Sequence, residues 1–470
     1  MNSMAVRVLL VLLLACASAY GAPETHVVIM HTNDLRGHVL AGPDAGGSAK
    51  LATVVHESKP DLLLDAGGMF SGTLISDTFQ GAPVIDAMNA IGYDAAAVGG
   101  NDFDFGTNFL TARAREANFP LLSANATTPI DEIQVAAVFN AQGVHIAVVG
   151  LTSEEVTRAG HPQNVKYVDV ADSLLSLETV LPKVRDRADC IILLTNVSST
   201  EEQRIARAFP EIRVIIGAHE ESELPVRVGQ TTIVTAGKFG KYAGKLDLTF
   251  NDGKLKAVES RLVPIENAEP DPAVTKLLEP FEARLNETLQ QVVGHAAGDL
   301  SRSTAQESHI GNLVADAVRA KTGTAIALIN AADAQKGIRK GPITSGMLFD
   351  VLPSENTLVT MRLTGAQIKH ILGRSVMSLS GVRVKLDASK PEGKRLVSVR
   401  LADGTPLRDK DFYTVTTNDF LWMGGDGYTE FAEGVEVEDT GILMRDALAE
   451  HIAHLGTVSP QLDGRIQVSR

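Results

Sequence analysis

The sequence predicts two layered α/β domains joined by a long helix. Three observations carry that expectation. Short β-branched runs alternate with amphipathic stretches through residues 25–262, the pattern of sheets covered by helices. Polar or glycine residues stand directly after the runs. The series breaks at Pro264 and Pro270-Asp271-Pro272, gives way to one long helical periodicity, and resumes as a second strand-and-helix series.

In the first series the strand-like runs are residues 26–31, 62–65, 95–98, 144–151, 190–195 and 214–217. Amphipathic stretches lie between them, as at 81–91 and 201–209. Asn33-Asp34, Gly67-Gly68, Gly99-Gly100, Asn196 and Ala218-His219 each follow a run. In α/β sheets ligands bind beyond the carboxyl ends of strands. These five loops are therefore expected to meet at one site. Residues 264–293 form the connection. Leu277, Leu278, Phe281, Leu285, Leu289 and Val292 recur at helical spacing and predict one helix over 274–293. Residues 294–470 read as a second, smaller α/β domain, with turns at Ser354-Glu355-Asn356, Ala402-Asp403-Gly404 and Gly424-Gly425-Asp426-Gly427. No internal repeat is visible.

Composition excludes several classes. Of 470 residues, 44% are hydrophobic and 21% charged, so the chain is neither disordered nor fibrous. Its 43 Lys and Arg against 57 Asp and Glu give a net charge of -14. An acidic surface repels phosphate backbones, so no nucleic-acid partner is expected. Two cysteines make no disulfide framework.

Residues 1–22 have the layout of a secretory signal: Arg7, an apolar run over 8–15, then Ala17-Ser18-Ala19. The run is too short to span a membrane. Cleavage is expected after Ala19 or Gly21. Leu13-Leu14-Ala15-Cys16 also resembles a bacterial lipoprotein box, which leaves a lipid anchor at Cys16 as the alternative. The mature chain is expected outside the cytoplasm, periplasmic or extracellular. Cys190 is then the sole thiol, set in an apolar strand and expected to be buried.

Several motifs resemble one family. His31-Thr32-Asn33-Asp34-Leu35-Arg36-Gly37-His38 is similar to the opening H-T-N-D-x-H-G of the secreted 5'-nucleotidases. Asp65-Ala66-Gly67-Gly68-Met69-Phe70-Ser71-Gly72-Thr73 resembles their D-A-G-D-x-F-x-G-T. Val98-Gly99-Gly100-Asn101-Asp102-Phe103-Asp104-Phe105-Gly106 resembles V-G-N-H-E-F-D-Y-G. Glu307-Ser308-His309-Ile310-Gly311-Asn312, Leu363-Thr364-Gly365, Thr416-Thr417-Asn418-Asp419-Phe420 and Gly424-Gly425-Asp426-Gly427-Tyr428 are similar to blocks of the family's C-terminal domain. The resemblance spans nearly the whole mature chain in order. It implies a metallophosphatase-like (calcineurin-like) sandwich at 23–263, a linker helix at 264–293 and a substrate-binding domain at 294–470.

The resemblance also implies a chemistry. Family members clamp a phosphate with two divalent metal ions and activate a water. Of seven ligand positions, Asp34 and His219 are kept, and Glu221 is an oxygen substitute. Arg36, Gly68, Gly100 and Asn196 stand where the family has ligands. The catalytic His–Asp dyad matches Asn101 and Asp104, and Asn cannot donate a proton as an acid. Both glycines remove donors, while Arg36 adds a permanent cation. Arg36 is therefore expected to pair with Asp34, Glu221 or Asp104. Asp65, three residues ahead of Gly68, is the alternative source of a bridging carboxylate.

In the second domain the implied substrate-binding residues are Asn330, Phe420, Asp426, Gly424 and Gly425. Leu358 stands where the family has a second stacking ring, and Thr304 and Gln335 where it has two arginines, so one stacking contact and two charge-assisted contacts are expected to be lost. The expectation is an exported nucleotide- or nucleoside-binding homologue with no metal or one, and no more than weak hydrolytic activity. Two alternatives stand beside it: a phosphohydrolase using one metal held by Asp34, His219 and Glu221, and a structural protein of the cell envelope.

Overall fold

The computed structural model describes residues 24–43, 45–156, 162–218 and 225–469. The expected signal segment 1–22, with Cys16, lies outside the described residues. The chain divides into two compact units, Met1–Ala283 and Arg284–Arg470. Among the described residues no helix is long and apolar enough to cross a membrane.

In the N-terminal unit, Thr25–Thr32 is an inner strand of a seven-stranded sheet. It runs antiparallel to Tyr242–Asn251 and parallel to Leu62–Asp65, which is parallel in turn to Ala95–Ala97. A second sheet of six strands places Cys190–Thr195 between Val144–Leu151 and Ile212–Gly217, all parallel. Successive side chains of a strand face opposite ways. Val27, Ile29, Leu62 and Leu64 of one sheet therefore share a buried layer with Ile146, Val148, Ile192, Leu194, Val214 and Ile216 of the other. Each such side chain contributes about 1.5–3 kcal/mol by burial.

The alternate residues of the second sheet, Ala147, Val149, Leu193 and Ile215, pack against Leu177, Val180, Leu181 and Ile205. Those come from the helices Ser173–Arg185 and Ser199–Ala208. Each helix has a side-chain cap: Asp172 accepts from Leu175 N, and Ser198 from Glu201 N. Cys190 is buried as expected, and burial pushes its thiol up to about 12.

The connecting helix differs from its expected span. It runs Pro272–Gln290, not 274–293. Asp271 starts it by accepting the amides of Ala273 (2.8 Å) and Val274 (3.1 Å). It stops early because Val292 and Val293 belong to the strand Val292–Ala296, paired with Gly341–Thr344. β-Branched residues suit a pleated strand better than a helix. The boundary between the two units falls inside this helix, after Ala283.

The C-terminal unit is built on a five-stranded sheet. Ile326–Asn330 and Phe412–Asn418 are parallel neighbours within it, flanked by Met377–Ser380 and Thr357–Thr364. One face carries His309–Thr322 and Met444–Leu455, through Ile310, Val314, Leu448 and Ile452. The other carries Gly365–Leu372, through Ile368 and Ile371.

Candidate functional site

In the N-terminal unit the loops after the parallel strands are tied backbone to backbone. Asp34 N donates to Gly67 O (2.9 Å), Arg36 N to Gly68 O (2.9 Å) and Gly37 N to Met69 O (2.8 Å). Asp34 and Arg36 both adopt left-handed backbone, at φ 47° and 48°. That conformation is uncommon for side chains larger than Asn or Asp. The lattice of loop hydrogen bonds holds it.

Asp102 organises the next two loops. Its buried carboxylate accepts the amides of Gly99 (2.7 Å), Gly68 (3.0 Å), Met69 (2.7 Å) and Phe70 (3.1 Å). Burial raises its pKa to about 6, against the pull of those four amides. Asn196 is buried, and its Oδ1 accepts Gly100 N at 3.0 Å. A methyl at Gly99 would lie 2.4 Å from Gly68 N. Four of the five expected loops therefore meet. Of the fifth, Ala218 is described, its amide donating to Thr195 O at 2.8 Å, whereas His219 and Glu221 lie outside the described residues.

The charged side chains gather on these loops. Arg36 Nε lies 3.4 Å from Asp34 Oδ1, with side-chain exposures of 30% and 8%. The expected pairing of Arg36 is thus with Asp34. Asp104 accepts hydrogen bonds from the Ser71 hydroxyl and from Asn101 Nδ2, the latter at 3.0 Å. Burial raises the Asp104 pKa, while Ser71, Asn101 and the Arg36 charge oppose the rise.

The donors described do not fit a pair of divalent ions. Gly68 offers none, and a Cβ there would sit 2.6 Å from Asp34 Oδ1 at φ +76°. Gly100 offers none, and the Asn196 oxygen is engaged by a backbone amide. Asp65 does not supply the bridge. It is fully buried, its oxygens take the Thr32 hydroxyl and Gly67 N, and burial raises its pKa to about 7. Among the described residues no group of three or more His, Cys, Asp or Glu is arranged to hold a metal.

The C-terminal unit holds a separate cavity of about 280 Å³. It forms where the parallel strands Ile326–Asn330 and Phe412–Asn418 end side by side. Asn418 Nδ2 donates to Asn330 Oδ1 (3.1 Å) and to Asp333, while Asn418 Oδ1 caps Leu421 N (2.9 Å). Asn330 Nδ2 in turn donates to Asp426 Oδ2 at 3.2 Å. Asp426 is presented by the turn Gly424-Gly425-Asp426-Gly427, with positive φ at Gly424, Asp426 and Gly427. Burial raises Asp333 to about 6, opposed by its bonds to Asn330, Asn356 and Asn418.

Phe420 is 41% exposed and its ring covers Gly425, where a Cβ would come within 2.5 Å. Leu358 stands at the position where the resemblance implies that the second stacking ring is lost. It is wholly buried in the core, pointing to the face that carries His309–Thr322, and presents nothing to a stacking ligand. Thr304 lines the cavity, whereas Gln335 folds back on Ala332 O at 2.7 Å. Sequence reasoning missed Arg374, Arg395 and Tyr428, which also line it. The Arg374 guanidinium lies 4.6 Å from the Tyr428 ring centre. No motif marks the two arginines, and Tyr428 ends a motif block without being singled out as a site residue. Only the fold collects them.

Comparisons with known proteins agree with this architecture. Residues 292–433 match the 5'-nucleotidase, C-terminal domain. The chain is 28% identical to the protein UshA of Yersinia enterocolitica, over 93% of this chain and 92% of that protein. It is also 28% identical to the trifunctional nucleotide phosphoesterase protein YfkN of Bacillus subtilis, covering 94% of this chain but 35% of YfkN. The crystal structure of the 5'-nucleotidase precursor from Thermus thermophilus superposes with a TM-score of 0.60 at 29% identity, covering 94% of this chain and 99% of that one. Residues 292–433 therefore form a 5'-nucleotidase C-terminal domain, and over more than nine-tenths of its length the chain is similar to 5'-nucleotidases and related nucleotide phosphoesterases.

Proposed function

We propose that this chain is an exported 5'-nucleotidase homologue that binds a nucleotide or nucleoside through its C-terminal unit and has lost the two-metal hydrolytic centre. The Arg36–Asp34 ion pair carries the reading: a guanidinium sits 3.4 Å from a carboxylate at a family ligand position, beside two glycines at others. A fixed cation supplies charge where a dication would otherwise be needed to keep Asp34 from burial unpaired. Asn330, Asp426 and Phe420 retain the means to hold a sugar and a base. The N-terminal segment supports export.

Elemental analysis of full-length mature protein purified without chelators tests the proposal, together with nucleoside monophosphate turnover and melting shifts with nucleosides. Fewer than one ion per chain, no turnover above background and a positive shift with nucleosides are expected. Two tightly held ions per chain with enzymatic turnover would overturn it.

A further inference from the structure

The cavity of the C-terminal unit carries a charge that its own neighbours leave unanswered. Arg374 is saturated: it reaches Glu392 (3.3 Å), Glu430 (3.5 Å) and the carbonyl of Gly427. Arg395 is different. Its Nε donates to Lys390 O (3.2 Å) and its Nη1 to Arg374 O (3.2 Å). Both partners are neutral carbonyls, and no carboxylate among the described residues lies within ion-pair distance of it. The guanidinium is held in place without being neutralised, and it lines the cavity.

A cation fixed by neutral acceptors keeps its full pull on an anion and loses little freedom on binding one. Asp426 lines the same cavity with the opposite sign. One oxygen takes Asn330 Nδ2 at 3.2 Å, and no cation pairs with it among the described residues. A carboxylate with lone pairs to spare accepts hydroxyl groups. Asn330, nine-tenths buried, fixes its orientation.

We infer that this cavity selects a ligand bearing a phosphate on the hydroxyl-carrying ring itself, with Asp426 and Asn330 on the free hydroxyl and Arg395 on the phosphate. A ribonucleoside 3'-phosphate is the simplest member of that class. The inference rests on the proposed reading of the cavity as the sugar site and adds the position of the charge. It makes Arg395 a specificity residue that discriminates among nucleotides, with no role in breaking a bond.

Calorimetric titration of the full-length protein with adenosine, adenosine 5'-monophosphate and adenosine 3'-monophosphate decides it. The 3'-monophosphate is expected to bind roughly tenfold or more tightly than adenosine, the ratio that one charge-assisted contact supplies. That advantage should shrink as salt rises. Arg395→Gln should erase it, so that the variant binds the 3'-monophosphate no more tightly than it binds adenosine. Should Arg395→Gln fail to fold, the salt dependence in the natural protein decides alone. Equal affinity for adenosine and its 3'-monophosphate overturns the inference and spares the nucleoside reading. Tighter binding of the 5'- than of the 3'-monophosphate also overturns it. Failure of all three to bind overturns the nucleoside reading as well.

Discussion

Arg36 Nε stands 3.4 Å from Asp34 Oδ1, and both residues hold left-handed backbone on the same loop. The pair is local in sequence but depends on the neighbouring loop, whose carbonyls at Gly67 and Gly68 take the amides of Asp34 and Arg36. A loop free to relax would leave both φ angles negative and the side chains apart.

A double-mutant cycle with Arg36→Ala and Asp34→Asn measures that pair. Arg36 is about a third exposed, so solvent screening limits the coupling to roughly 0.5–1 kcal/mol. Urea denaturation of the four proteins gives the value. Strict additivity would mean that the two charges do not interact.

Restoring side chains at the two glycines is expected to have unequal effects. Gly68→Asp forces a Cβ to 2.6 Å from Asp34 Oδ1 at φ +76° and should destabilise by about 1–3 kcal/mol. At Gly100 the nearest atom to a new Cβ is Val156 Cγ2 at 3.5 Å, so Gly100→Asn should cost less than about 1 kcal/mol. Neither alone is expected to confer tight metal binding. Melting temperatures and metal content check both, and a stable Gly68→Asp protein that retains ions would contradict the geometry.

The buried carboxyl of Asp65 sets a pH dependence. Burial lifts it from 3.8 to about 7, so the folded chain holds this proton more tightly than the unfolded chain. Stability from this group is full below about pH 4 and declines as pH rises toward 7. Asp102, lifted to about 6, adds a slope of the same sign. Asp65→Asn should flatten the decline between pH 4 and 7 without abolishing it. Urea midpoints across that range report the slope, and an unchanged slope would remove Asp65 as its source.

Phe420 separates packing from binding. Its ring is 41% exposed, so Phe420→Ala should alter stability by less than about 1 kcal/mol. Base stacking on a ring is worth about 1–3 kcal/mol, so nucleoside affinity should fall roughly tenfold or more. Titration of the variant with adenosine gives the answer. A large loss of stability with unchanged affinity would make Phe420 a packing residue.

Strand positions were largely legible because β-branched runs carry their own signal. The run 62–65 is a strand end to end, and 144–151 and 190–195 likewise. The connecting helix was legible in kind but misplaced at both ends. Its C-terminal limit depends on the pairing of Val292–Ala296 with Gly341–Thr344, a contact some fifty residues away. The missing donors at Gly68 and Gly100 could be read directly, since absence of a side chain needs no fold to establish it. Asp102 escaped notice because its role is to gather four backbone amides, and backbone amides have no letter in a sequence.

By itself the chain of residues determined the alternation of strand and helix, the loops on which polar groups fall, and which positions lack a donor, because each follows from side-chain chemistry and local period. Only the tertiary structure decided that Arg36 turns to Asp34, that Leu358 is core, and that Arg395 meets Asp426 across one cavity. Those outcomes depend on which backbone carbonyls and strand ends are brought side by side, and that is settled by the packing of segments far apart in the chain.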